Sequence, residues 1–149
     1  MSEEEHKYEL KSRWVREKIV SIAIDGKNSF NVATPPDFWP ESPSDALSPE
    51  DLFLASAVSC YGVTLYGVSQ RFHAEMSNFY IAATGTLQKG ERGWEFGQIS
   101  MNAKIIVPTT GDKKKMSKAA EHAHTYCVVT NSMKCPVHLE FEVVVGKSE

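Results

Sequence analysis

The feature that most constrains the fold lies in residues 48–72. Ser48-Pro49-Glu50-Asp51 reads as a helix start. It supplies a capping hydroxyl, a proline at the first helical position, and two carboxylates at the positive end of the helix dipole. Behind it, Leu52, Phe53, Leu54, Ala55, Ala57, Val58, Val63, Leu65 and Val68 cover more than one stripe of a helix that runs to about Phe72. Such a helix needs neighbours on most of its sides, so the rest of the chain is expected to pack around it.

The flanking segments supply those neighbours. Residues 8–14 and 18–24 suit strands, and Asp25-Gly26-Lys27-Asn28 is turn chemistry leading into a third strand over 29–33. Pro35, Pro36, Pro40, Pro43 and Pro49 then exclude regular structure up to the helix start, with Phe38 and Trp39 expected to pack. After the helix, Phe79, Ile81 and Ala83 alternate with their neighbours, as do Ile99, Met101, Ala103 and Ile105. Gly90 and Gly93 lie between them, predicting a second hairpin. Asp112 can cap a second helix through Met116, Ala119, Ala120, Ala123 and Cys127. Leu139, Phe141, Val143 and Val145 then alternate as a last strand. The expected order is βββ-α-ββ-α-β, an α+β fold with antiparallel sheet predominating.

At 149 residues, 42% of them hydrophobic, residues 1–149 are expected to form one domain. A net charge of −3 leaves no global positive field to recruit nucleic acid or an anionic membrane. No stretch reads as approaching the roughly 18 apolar residues of a membrane helix, and the first residues are acidic and polar. The expectation is a cytoplasmic protein without membrane or nucleic-acid partners. Three cysteines in a chain of this size do not read as a secreted disulfide framework, so their thiols are available for chemistry.

Taken alone, Cys60 midway along an apolar helix reads as a small buried hydrophobe, and Cys127 near the end of the second helix could equally be packing. The segment Ser48-Pro49-Glu50-Asp51-Leu52-Phe53-Leu54-Ala55-Ser56-Ala57-Val58-Ser59-Cys60 changes that. It resembles the proline-glutamate-x-leucine helix, ending in serine or alanine and then cysteine, of the OsmC/Ohr family. Ala123-x-x-x-Cys127-Val128-Val129-Thr130 is similar to that family's alanine-x-x-x-cysteine-proline-valine-serine, and the element order also fits. One departure is Val128, where proline is usual.

The resemblance implies an OsmC-like fold in an intertwined homodimer, with an active site at the subunit boundary. It implies a peroxidase in which Cys60 attacks an organic hydroperoxide or hydrogen peroxide and Cys127 closes a disulfide onto it. An external lipoyl, thioredoxin-like or small-molecule thiol would restore the dithiol, and no cofactor is expected. Chemistry supports that division: only a thiolate attacks the O–O bond, and a second thiol that traps the sulfenic acid prevents over-oxidation. A mid-helix thiol in apolar surroundings needs help to ionise, and the family supplies an arginine oriented by a glutamate. Glu50 matches that glutamate. Arg16 and Arg13 are both available as the arginine, and Arg16 is favoured by its distance to the Asp25-Gly26 turn. Ten helical residues at about 1.5 Å each separate Glu50 from Cys60 by about 15 Å, so an arginine must bridge or the helix must bend.

Phe38, Trp39, Phe53 and Tyr61 are candidates for lining an apolar pocket. Cys135, with His138, Cys127, His122 and His124 nearby in sequence, raises a zinc reading that lacks any close cysteine pair of zinc-site spacing. The alternative function is a member of the same family without peroxidase activity, binding a small ligand or sensing thiol state.

Overall fold

The computed structural model describes residues 4–146. The chain divides into two compact units, Met1–Phe53 and Leu54–Glu149.

In the N-terminal unit, β1 (Lys11–Arg16), β2 (Ile19–Ala23) and β3 (Phe30–Ala33) form an antiparallel sheet in the order β1-β2-β3. Gly26, at φ 78°, makes the β2–β3 turn in the left-handed conformation that glycine adopts without penalty. The β1–β2 connection is tighter. Glu17 adopts φ 44°, its carbonyl accepts the Trp14 indole N–H at 2.9 Å, and the register slips between Trp14 and Arg16. All six β1 residues are exposed. In the proline-rich connection Trp39 packs with Ile19, Ala33 and Ala46, as expected, whereas Phe38 stays exposed.

The helix α1 spans Pro49–Arg71 without a break. Its start is a reciprocal capping box: the Asp51 amide donates to Ser48 Oγ at 3.0 Å, and the Ser48 amide donates to Asp51 Oδ2 at 3.0 Å. Its end is a left-handed residue, His73 at φ 56°, beyond which the Ala74 amide donates back to the Ser69 carbonyl at 2.9 Å. Ala57, Tyr61, Gly62, Leu65, Val68 and Ser69 are buried, but Val63 and Tyr66 are 72% and 53% exposed. The expected burial on most sides is therefore not met among the described residues. By length and composition α1 is also apolar enough to cross a membrane. That corrects the expectation that no stretch comes near this limit. Its serines and glycines interrupt the apolar run without adding charge, a composition that the core helix of a folded domain shares.

In the C-terminal unit, β4 (Asn78–Gly90) and β5 (Gly93–Val107) form a long hairpin. Gly90 and Gly93 end the strands and pair with each other, leaving Glu91 and Arg92 as the turn. The last strand β6 (Val137–Val145) adds to β5 in parallel, giving the order β4-β5-β6. A parallel neighbour requires a crossover, and α2 (Thr110–Thr125) supplies it, packed on β5 and β6. Its N-cap is Thr109 rather than Asp112. Thr109 Oγ1 accepts the Asp112 amide at 3.2 Å and donates its own proton to the Asp112 carboxylate at 2.6 Å.

The second helix also stops earlier than expected. Tyr126 caps it, Cys127 is extended (φ −71°, ψ 115°), and a single turn, α3 (Val128–Asn131), follows. Cys127 thus lies between two helices rather than on the face of one. Apart from that extra turn the order is the expected βββ-α-ββ-α-β, with antiparallel pairing in all but the β5–β6 contact. Ile99, Met101 and Ile105 of β5, Leu65 of α1, and Met116, Ala119, Ala120 and Ala123 of α2 are buried as the core of this unit.

Candidate active site

Cys60 and Cys127 meet in the C-terminal unit. Both thiols are free, Cys60 half-buried in the middle of α1 and Cys127 fully buried at the α2–α3 junction. Because the chain leaves the helix at Cys127, the first amides of the following turn have no helical acceptor. The Val129 and Val128 amides and the Cys127 thiol lie close enough to the Cys60 sulfur to favour its charged form. The Thr64 hydroxyl, one turn along α1, lies 4.0 Å from Cys60 Sγ.

These contacts separate the two thiols electrostatically. Burial pushes the Cys60 thiol up, but hydrogen bonds from the Val129 amide, the Cys127 thiol, the Thr64 hydroxyl and the Val128 amide together bring it below the ordinary cysteine value. For Cys127, burial is again the largest influence. The Thr130 hydroxyl and amide oppose it only in part, and the nearby Cys60 adds to it, so this thiol is raised. The pair therefore ionises first at Cys60, leaving a protonated thiol beside a thiolate.

Tyr61 does not line a pocket. It is fully buried, donates its hydroxyl to the Ala120 carbonyl at 3.1 Å, and burial together with the neighbouring Cys127 holds its phenol protonated. Trp39 is likewise a core residue of the N-terminal unit. His124 stands edge-on to Tyr61, with ring centroids 6.5 Å apart and Nδ1 buried without a hydrogen-bond partner among the described residues. His122 sits between the rings of Phe72 and Tyr126 at 5.3 and 4.5 Å. Cys135 is buried, and among the described residues no three His, Cys, Asp or Glu side chains are grouped to hold a metal ion.

Glu50 and Arg16 belong to the N-terminal unit. The Arg16 guanidinium is bonded to Glu17 at 2.7 Å, and both side chains are well exposed. Glu50 keeps Oε1 buried with no hydrogen-bond partner among the described residues. Glu50 and Cys60 lie on one continuous helix, ten residues apart. The sequence reading missed the groups that touch Cys60 besides Cys127. Thr64 carried the available signal, a hydroxyl four residues on along the same helix, whereas the Val128 and Val129 amides carry no signature of residue type.

Comparison with known proteins bears on the family and the fold. The OsmC-like protein family matches residues 42–142. The uncharacterized protein YmaD of Bacillus subtilis (strain 168) is 18% identical over 145 residues, covering 95% of each chain. An OsmC-like protein of unknown function from Vibrio cholerae superposes with a TM-score of 0.84 at 18% identity, over 92% of this chain and 99% of that one. An organic hydroperoxide resistance protein OsmC from Legionella pneumophila superposes with a TM-score of 0.71 at 18% identity, over 94% of this chain and 99% of its own. On the match over residues 42–142, this chain belongs to the OsmC-like protein family.

Proposed function

We propose that the protein is a thiol-dependent peroxidase in which Cys60 is the attacking and Cys127 the resolving cysteine. The observation that carries this reading is the pairing of a lowered, half-buried thiol with a raised, fully buried one, near enough for each to shift the other. The Cys60 thiolate attacks the distal oxygen of a hydroperoxide. An S–O bond forms, the O–O bond breaks, and the leaving alkoxide takes a proton to become an alcohol. The sulfenic acid on Cys60 is then displaced by the Cys127 sulfur, which loses its proton, and water leaves as the disulfide forms. A dithiol or two thiols from outside reduce the disulfide by exchange. Glu50 and Arg16 are carried from the family pattern as the carboxylate and guanidinium serving the thiolate. The unpaired Glu50 oxygen supports the first of these assignments.

The active form is a homodimer in this reading. The apolar surface of α1 supports it: the exposed Val63 and Tyr66 and the half-buried Val58, with Phe79 and Ile81 of β4, border a groove of about 510 Å³. The reducing cytoplasm, where a thiol donor is at hand, is the compartment that suits such a cycle.

Trapping the intermediate tests the assignment of roles. In Cys127→Ser, peroxide is expected to leave a sulfenic acid on Cys60 that a dimedone-type reagent captures, while Cys60→Ser consumes no peroxide. A Cys60→Ser variant as active as wild type would overturn the assignment. A wild type inert to hydroperoxides would overturn the peroxidase reading, leaving small-ligand binding or thiol sensing on the same fold.

A further inference from the structure

The hydroxyl-bearing residues of α1 do not all behave alike. Ser59 donates to the Ser56 carbonyl at 3.4 Å and Ser69 to the Tyr66 carbonyl at 2.7 Å, the local backbone contacts usual for a hydroxyl inside a helix. Thr64 differs: its Oγ1 is set against the Cys60 sulfur, 4.0 Å away. Residues four apart share a helix face, so the backbone itself fixes this approach. Thr64 is half-buried, between the exposed Val63 and the fully buried Leu65.

We propose that Thr64 is a positioning residue for Cys60, donating its hydroxyl proton to the sulfur when that sulfur is charged and holding it on the side of α1 that meets Cys127. A protonated thiol is a weak acceptor, and at 4.0 Å the contact to it is loose. A thiolate attracts the same hydroxyl as a charge-assisted acceptor, and the contact tightens as the sulfur ionises. The hydroxyl adds to the Val129 and Val128 amides, which also favour the charged sulfur, so three donor groups besides Cys127 serve it. None of the three is a cation. The inference deepens the peroxidase reading and rests on it for the use made of the thiolate, but the contact can be measured without peroxide.

The test uses the full-length chain with Thr64→Val, which keeps the shape and removes the donor, and Thr64→Ser, which keeps the donor. Alkylation of Cys60 by iodoacetamide is followed against pH in peroxide-free buffer, with the Cys60 peptide quantified by mass spectrometry. In Thr64→Val the midpoint is expected to move up, with alkylation near neutral pH slowed about three- to tenfold, as fits the loss of one charge-assisted hydrogen bond. Thr64→Ser is expected to restore the wild-type midpoint, a recovery that a packing role for the threonine methyl would not give. Equal midpoints in wild type and Thr64→Val, or a shift that Thr64→Ser shares in full, would overturn the proposal. Peroxide consumption by wild type is measured separately, so an inert wild type with a shifted Thr64→Val midpoint would reject the peroxidase reading alone.

Discussion

At the Cys60 sulfur, burial and hydrogen bonding act in opposite directions, and hydrogen bonding prevails. Because the folded chain favours the charged form, the thiolate is present above a pH lower than that of an ordinary cysteine and is lost as pH falls through it. Alkylation of Cys60 in wild-type protein should therefore rise and level off at lower pH than alkylation of an unfolded control. A midpoint at or above the control would contradict the hydrogen-bonding account. Val128 gives a second prediction. The family pattern has proline there, and proline has no N–H to give. Val128→Pro sits at the first position of α3, where proline is tolerated, so it should fold while raising the Cys60 midpoint. Read alone, the two cysteines look like packing residues, and only the family resemblance singles them out. The donors around Cys60 were hidden because two of them are backbone amides whose direction depends on where α2 stops.

Among the elements, α1 was the most legible, since its capping box, proline and acidic first turn all lie in consecutive residues. The β4–β5 hairpin followed from alternation and its glycines. The break at Tyr126 and the turn α3 were not legible. Cys127 is a poor capping residue, and Val128-Val129-Thr130 is a β-branched run that discourages a helix, so nothing local announces a new turn there. Its formation reflects tertiary packing, which buries Cys127 and Thr130. The end of α1 carries a prediction of its own. His73 is exposed and adopts φ 56°, a conformation that costs an L-residue energy and glycine almost none. His73→Gly should raise stability by about 0.5–1 kcal/mol, less whatever the glycine adds to unfolded-chain freedom. Urea unfolding would check this, with a higher midpoint and unchanged slope expected. A lower midpoint would show that the histidine ring holds contacts worth more than the strain.

For the whole molecule, the apolar surface left open on α1 and the exposed β1 strand are the features a lone chain accounts for least. Neither was visible from composition, because hydrophobic content does not reveal whether the covering surface comes from the same chain or another. The homodimer proposal predicts that the protein sediments as a dimer at micromolar concentration. Tyr66→Glu, which would bury a charge in the contact, should shift it toward monomer. Sedimentation unchanged by Tyr66→Glu would place the contact elsewhere, and a monomeric wild type would remove it.

The most direct measurement of the central claim is the mass of the fully reduced protein after one equivalent of cumene hydroperoxide under anaerobic conditions, followed by peptide mapping. The account predicts the loss of two hydrogens and a disulfide that joins Cys60 to Cys127, with Cys135 still free. A protein that keeps all three thiols, or one whose disulfide joins Cys135 to either of the others, would contradict it.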